Sequence, residues 1–141
     1  MQIRDMQESD RAGVIRLWEA CGLTRPWNDP SQDITRSLGA ANATILLGEE
    51  SGAIIASTML GFDGHRGWVY YFAVAPERQR NGLGRLLFNA SEVWLQERGA
   101  PKIQLMVRDS NEAAIGFYRA LGLEVQPVVT LGRFLDREPV R

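Results

Sequence analysis

The stretch from Trp68 to Val107 constrains the fold more than any other part of this 141-residue chain. An uninterrupted apolar run, Trp68 to Ala75, suits a buried strand and is followed by a glycine-containing loop. Ile103 to Val107 is a second strand-like run. Between them, apolar residues recur at the helical period, at Leu83, Leu86, Leu87, Ala90 and Trp94. Strand, helix and strand in this order predict a right-handed crossover between parallel neighbours of one sheet.

Two helices are predicted before any long strand. A short strand around Ile3 precedes the first helix, which starts after Ser9 and ends at Gly22. The second helix starts at Asp29, whose side chain can cap the free amides of the first turn, and stops at Gly39. Both helices carry their apolar residues along one side, so each is expected to pack on a sheet.

The remaining segments complete a mixed sheet. Residues 44–48 and 53–59 are strand-like runs joined by a polar turn, so they predict an antiparallel hairpin that leads into the strand at 68–74. A last helix begins at Asn111, and residues 125–130 predict a final strand. The predicted order is β-α-α-β-β-β-α-β-α-β. The expected class is α/β, an α+β mixed sheet flanked by helices.

Composition indicates one domain, residues 1–141, held together by an ordinary core. Hydrophobic residues make up 45% of the chain, and Cys21 is its single cysteine. One thiol cannot form an internal disulfide or a zinc cage, so no metal and a cytoplasmic location are expected. A formal net charge of −1 argues against a surface built for nucleic acid or anionic lipid. The charged N-terminus and short apolar runs predict neither a secretion signal nor a membrane span.

The loop from Val74 to Arg85, VAPERQRNGLGR, carries the strongest functional signal. It joins the carboxyl end of a buried strand to the start of an amphipathic helix, where backbone amides lack partners. Gly82 and Gly84 remove side chains that would block close approach of a ligand. Positive charge comes from three arginines: Arg78, Arg80 and Arg85. This combination predicts a phosphate or pyrophosphate site.

Other readings of this loop are open or disfavoured. The glycines could form a plain turn with solvated arginines around it. A Walker loop is excluded because no glycine-lysine-serine/threonine ending is present. The dinucleotide fingerprint fails because Leu87 stands where its third glycine belongs, so neither ATP nor NAD is favoured.

The same loop resembles the signature of the GNAT N-acetyltransferases, which is glutamine or arginine, two residues, glycine, one residue, and glycine or alanine. Every position is filled, by Gln79, Arg80, Asn81, Gly82, Leu83 and Gly84. The resemblance covers essentially the whole chain and includes Val74, Pro76, Asn111, Phe117, Tyr118, Leu121 and Gly122. The segments RPWNDP, residues 25–30, and DGHRG, residues 63–67, further resemble the YpeA-like bacterial subgroup.

The resemblance implies acetyl-CoA as the donor. Its pyrophosphate would lie on the loop amides, and its pantetheine arm would follow the strand that ends at Val74, beside Phe72. Asn111 resembles the asparagine that contacts the arm or an ordered water in this family. The implied donor-binding residues are Phe72, Val74, Gln79, Arg80, Asn81, Gly82, Leu83, Gly84, Arg85, Asn111 and Tyr118.

Direct acetyl transfer needs a neutral amine, a hydrogen-bond donor to the oxyanion and a proton for the leaving thiolate. The resemblance assigns the proton to Tyr118 and the oxyanion to the backbone amide near Val74. Many relatives carry a basic glutamate on the strand at 68–74, but WVYYFAV has no carboxylate. Asp63 and His65 in the preceding loop are the candidate bases, acting through water. Both are also ordinary turn residues.

The acceptor is expected opposite the donor. Its candidate contacts are Trp27, Asn28, Asp29 and Tyr70, although Asn28 and Asp29 also suit a helix cap. The predicted function is N-acetyl transfer from acetyl-CoA to a primary amine in a ternary complex. The alternative is a noncatalytic acyl-CoA-binding or sensing module. Nucleic-acid binding is disfavoured because the basic patch is short. The acceptor is a small-molecule or protein amine, and a homodimer is left open because similar proteins often dimerise.

Overall fold

A computed structural model describes residues 1–137 of the chain as a mixed α/β fold, which confirms the predicted class. Two 3₁₀ turns, Glu8–Asp10 and Pro76–Arg78, precede α1 and α3. The helices and strands are β1 (Gln2–Asp5), α1 (Arg11–Ala20), α2 (Pro30–Gly39), β2 (Ala43–Glu50), β3 (Ala53–Phe62), β4 (Gly67–Val74), α3 (Leu83–Glu97), β5 (Ile103–Leu105) and α4 (Glu112–Ala120). The chain divides into two compact units, Met1–Met106 and a second that begins at Val107.

All five strands belong to one sheet in the first unit. The order is β1-β2-β3-β4-β5, in which only the β4–β5 pair is parallel. Helix α3 connects these two strands, so the predicted strand-helix-strand unit is confirmed. The β4–β5 pairing is short, because it joins only Gly67–Val69 to Ile103–Leu105. The two strands therefore stop pairing well before β4 ends at Val74.

The sheet buries both faces. Ile45 and Leu47 pack with Trp18 of α1 and Ile34 of α2 on one face, whereas Leu46 packs with Leu87 of α3 on the other. This alternation follows from the two-residue period of a strand. Because both faces are covered, β4 is held between β3 and β5, and its far end can position a site accurately.

Two local predictions meet different outcomes. Asp29 does cap α2, since its Oδ1 accepts hydrogen bonds from the amides of Ser31 at 3.0 Å and Gln32 at 3.2 Å. The predicted final strand over 125–130 is wrong, because the described residues after α4 contain no strand. Pro127 lies in the middle of this segment and has no amide hydrogen for a sheet ladder. The valines that suggested a strand are exposed, Val129 by 85%.

The first residue of β4 gives a test of the packing between sheet and α3. A Cβ atom on Gly67 would lie 2.7 Å from Cδ1 of Leu95, a side chain that is itself buried. We expect Gly67→Ala to lower the free energy of unfolding by about 1–3 kcal/mol, measured by urea unfolding. Gly116→Ala is the control, because a Cβ there meets no neighbour within 4 Å in α4. Equal unfolding midpoints for Gly67→Ala and the wild type would contradict this packing.

Candidate functional site

The C-terminal end of β4 points backbone groups away from its partner β3. The amide of Ala75 donates to the carbonyl of Ile55 at 2.8 Å, so residue 75 faces β3. In an antiparallel pair this orientation alternates, which turns the backbone of Val74 towards the opposite side of the strand. That is the side on which β5 has already ended. The end of β4 near Val74 is therefore not paired with β5, and a pantetheine arm along it stays a prediction.

The loop that follows β4 exposes a run of backbone amides. Arg80 and Gly82 adopt left-handed conformations, with φ of 66° and 78°, on either side of Asn81. Within residues 1–137, the amides from Gln79 to Gly84 donate no hydrogen bond to another protein group. Helix α3 begins directly afterwards at Leu83, so its positive end adds to the same surface. Consecutive free amides at a helix N-terminus form a concave site for an anion.

Gly82 is required by its conformation and leaves the front of the loop open. It occupies the N-cap position of α3, where it has no side chain to bond the free amides of the first turn. A Cβ atom at this position would meet no other atom within 4 Å, so packing does not select glycine here. The positive φ selects glycine, because residues with a Cβ are strained in the left-handed region of backbone conformation. The Cβ position of Gly82 therefore faces open space.

Two side chains of the loop are used inside the protein. Gln79 donates from Nε2 to the carbonyl of Val74 at 2.9 Å, which ties the loop to the strand end. Arg78 makes two hydrogen bonds to the carboxylate of Glu50, at 2.5 and 2.8 Å, and this pairing lowers the pKa of Glu50. The expectation that Arg78 offers free positive charge to a phosphate is therefore wrong. Leu83 buries its side chain in the core, so only its amide can reach a ligand.

Asp63 and His65, the two candidate bases, lie at the opposite end of β4 from this loop. Asp63 accepts hydrogen bonds from the amides of His65 at 2.8 Å and Arg66 at 2.7 Å, and from the indole of Trp68 at 3.2 Å. The backbone hydrogen bonds lower the pKa of Asp63, which weakens it as a base. Strand β4 separates this turn from Val74 by about 23 Å at about 3.3 Å per residue. Both residues are thus far from Val74, and their role as candidate bases stays a prediction.

The expected acceptor residues lie in the first unit. Trp27, Asn28 and Asp29 are exposed in the turn before α2, and Tyr70 is 43% exposed on β4. Burial of the Tyr70 side chain, followed by the charge of Asp63, raises the pKa of its hydroxyl. The cap made by Asp29 uses only its Oδ1 in the two bonds to the helix. These residues stay candidates for contact with an acceptor.

Tyr71 is not among the candidate residues predicted from the sequence. Its backbone has a φ of 50° in the middle of β4, and its ring stacks on Trp18 at a centroid distance of 3.8 Å. Its hydroxyl donates to Oδ2 of Asp33 at 2.7 Å. Burial, and then this bond and the charge of Asp33, raise the pKa of Tyr71 strongly. The available signal was a pair of adjacent tyrosines inside an apolar strand.

The second unit, described by itself, holds Asn111 and Tyr118. Asn111 caps α4, because its Oδ1 accepts a hydrogen bond from the amide of Ala114 at 3.1 Å. Tyr118 is half-buried, and its ring meets that of Phe117 edge to face at 5.1 Å. Burial raises the pKa of Tyr118 to about 12, so its hydroxyl carries a proton throughout the neutral range.

Residues 1–137 contain no cluster of three or more His, Cys, Asp or Glu side chains arranged to hold a metal ion. No helix in that part of the chain is both long and apolar enough to span a membrane. The thiol of Cys21 donates to the carbonyl of Val74 at 3.3 Å, and its burial raises its pKa. A thiol of raised pKa is a poor nucleophile, so Cys21 does not suit covalent catalysis.

Comparison with known proteins identifies the family of this chain. The model of the acetyltransferase (GNAT) family matches residues 11–123. The chain belongs to the GNAT family of acetyltransferases. An acetyltransferase from Yersinia enterocolitica is 47% identical over 135 residues, which cover 96% of each chain. An acetyltransferase from Pectobacterium atrosepticum is 46% identical over 140 residues, which cover 98% of this chain and 99% of the relative.

The GNAT fold is also found among solved structures. AAC(6')-Iy in complex with the bisubstrate analogue CoA-S-monomethyl-acetylneamine has a TM-score of 0.81 to this chain, at 17% sequence identity. The match covers 94% of this chain and 97% of that chain. At this identity the likeness concerns the fold. Together with the relatives, it shows that the protein is a GNAT acetyltransferase.

Proposed function

We propose that the protein transfers the acetyl group of acetyl-CoA directly to a primary amine. The observation that carries this proposal is the run of free amides from Gln79 to Gly84 at the end of β4. An anion with two phosphates suits this surface, and the side of β4 beyond its pairing with β5 suits an extended arm. AAC(6')-Iy, which shares the fold, has been solved with an analogue that joins CoA to acetylneamine. That complex supports a donor and an amine acceptor bound together.

The strength of donor binding favours several loop amides acting together. A micromolar dissociation constant corresponds to about 8 kcal/mol. The helix N-terminus supplies about 0.3–2 kcal/mol, and each hydrogen bond to a charged group about 1.5–3 kcal/mol. The helix end alone is too weak. Several loop amides, with backbone pairing of the arm to β4, reach the required total after association costs are subtracted.

The proposed reaction assigns groups of the protein to stabilisation of the oxyanion and to protonation of the leaving thiolate. The amine nitrogen attacks the thioester carbon, and the backbone amide of Val74 donates to the oxygen that becomes negative. The C–S bond then breaks, and Tyr118 gives its proton to the thiolate of CoA. The attacking nitrogen loses one proton to water to leave the neutral amide, and water returns a proton to Tyr118. Asn111 contacts the pantetheine arm, while Arg80 and Arg85 add positive charge beside the pyrophosphate. Trp27, Asn28, Asp29 and Tyr70 contact the acceptor.

A noncatalytic acyl-CoA-binding module is the second candidate. It is favoured by one observation, that β4 carries no carboxylate and that Asp63 and His65 lie at its distant end. Such a module would bind acetyl-CoA in the same loop and turn nothing over. Both functions therefore require binding of acetyl-CoA, and only the first includes acetyl transfer.

Thiol release separates the two functions. The purified protein is incubated with acetyl-CoA and a panel of primary amines that includes alkylamines, polyamines, aminoglycosides and peptides with free N-termini. We expect free thiol to appear with at least one amine at a rate well above that of the amine-free control. Binding of acetyl-CoA without thiol release for any amine would favour the noncatalytic module.

A further inference from the structure

We propose that Tyr71 is a positioning residue for acetyl transfer, and that Asp33 on α2 acts on the reaction through Tyr71. The inference rests on the proposed function, since it concerns the strand edge that receives the donor. Tyr71 would not contact the donor itself. It would hold the local conformation of β4 that decides which backbone amides point to the donor side.

Tyr71 forms a bulge in β4. Ala73 pairs with Ser57 and Tyr70 pairs with Met59, so Tyr71 and Phe72 together face the single residue Thr58 of β3. Tyr71 has a left-handed φ of 50°, which is unfavourable for a residue with a Cβ. Such conformations persist only where the surrounding structure enforces them, and bulges often re-aim groups beside an active site.

The bulge reverses the direction in which the β4 backbone points. Before it, the amide of Gly67 donates to the carbonyl of Lys102 at 2.8 Å, so odd-numbered residues face β5. After it, Ala75 donates to Ile55 of β3, so odd-numbered residues face β3 and even-numbered ones face the donor side. Without the extra residue, Val74 would bond to β3. The amide proposed to stabilise the oxyanion is thus available because of the bulge.

Three contacts hold Tyr71 in this conformation. Its ring lies flat on the fully buried indole of Trp18, with an interplanar angle of 7°. Trp18 donates from Nε1 to Oγ of Ser57 at 2.8 Å, and Ser57 donates to the carbonyl of Tyr71 at 3.2 Å. The hydroxyl of Tyr71 donates to Asp33. Hydrogen bonds therefore hold Tyr71 both at its backbone carbonyl and at its hydroxyl.

Asp33 is itself fixed, which makes it a firm anchor. It lies one turn into α2, and its Oδ1 accepts a hydrogen bond from Nη1 of Arg36 at 2.9 Å. The raised pKa of Tyr71 keeps its hydroxyl protonated, so the bond to Oδ2 of Asp33 persists across the physiological range. The bond from Tyr71 links Asp33 directly to β4.

A double-mutant cycle tests this dependence. Tyr71→Phe keeps the stacked ring and removes only the hydroxyl, while Asp33→Asn weakens the acceptor. We expect each change to lower kcat about tenfold with an unchanged KM for acetyl-CoA, because the loss is one of alignment. The double variant should be no slower than either single one. Asp5→Asn is the matched control, since Asp5 also accepts a hydroxyl bond, from Thr44, at the other edge of the sheet.

Additive losses in the double variant would overturn the proposal, because the two residues would then act independently. A raised KM for the amine at unchanged kcat would also overturn it, because Asp33 would then act on the acceptor directly. A second readout does not need activity. The ¹H–¹⁵N resonance of the Val74 amide should shift alike in Tyr71→Phe and Asp33→Asn, and stay in place in Asp5→Asn. An unmoved Val74 resonance would also refute the proposal. A wild-type protein without transferase activity would refute the proposed function alone and leave this comparison intact.

Discussion

Gly82→Trp is expected to weaken CoA binding by more than about a hundredfold, which corresponds to about 2.7 kcal/mol. The indole would occupy the open space in front of the loop amides, where no protein atom lies within 4 Å of a Cβ. It would also strain the left-handed backbone that holds the amides in place. Losing two hydrogen bonds to a charged group would account for a change of this size. Isothermal titration with CoA measures it directly.

Gly64→Trp is the matched control for this experiment. Gly64 also has a positive φ, of 92°, and also has open space around its Cβ position. It lies in the turn before β4, at the far end of that strand from the loop. We expect this variant to bind CoA as the wild type does. Equal losses in both variants would show that the tryptophan harms the fold, and unchanged affinity in Gly82→Trp would remove the loop from the donor site.

Tyr118→Phe is expected to lower kcat about a hundredfold or more while leaving the dissociation constant of CoA nearly unchanged. A general acid contributes about 10²- to 10⁴-fold to rate, and the lost hydroxyl would otherwise protonate the leaving thiolate. Steady-state kinetics and titration with CoA together separate the two effects. An unchanged kcat would exclude Tyr118 from the reaction, and a loss confined to CoA affinity would make it a binding residue.

The pH dependence of the wild type adds a second test of Tyr118. Its pKa of about 12 means that the folded protein keeps the phenol protonated above the usual value near 10. The acid should therefore remain active as pH rises through 10 and be lost only as pH approaches 12. We expect the wild type to show no loss of kcat between pH 8 and 10 that is caused by ionisation of Tyr118. A loss of that kind would be present in the wild type and absent in Tyr118→Phe. Such a fall, with a midpoint near 10, would contradict a buried acid.

Sequence patterns predicted the helices and strands that are determined by residues close together in the chain. The apolar run at 68–75 and the stripe that begins at Leu83 become β4 and α3, because each buries one side against its neighbours. Asp29 caps α2 through atoms two and three residues away. The segment 125–130 has the composition of a strand, but Pro127 interrupts the ladder and the structure has no strand there.

The candidate site was predictable only where it is local. The loop of exposed amides follows from the glycines and the junction of strand and helix, which lie side by side in sequence. Asp63 is close to β4 in sequence, yet an extended strand carries the two ends of β4 far apart. The bulge at Tyr71 depends on Asp33, 38 residues earlier, and on the indole of Trp18. The periodicity of apolar residues does not predict contacts between residues so far apart in the sequence.

A crystal structure of the protein with bound CoA tests the donor site most directly. We predict that pyrophosphate oxygens lie about 2.7–3.2 Å from at least two amide nitrogens between Gln79 and Gly84, with the pantetheine arm beside Val74. CoA bound at another surface, with these amides still facing solvent, would contradict the proposed site.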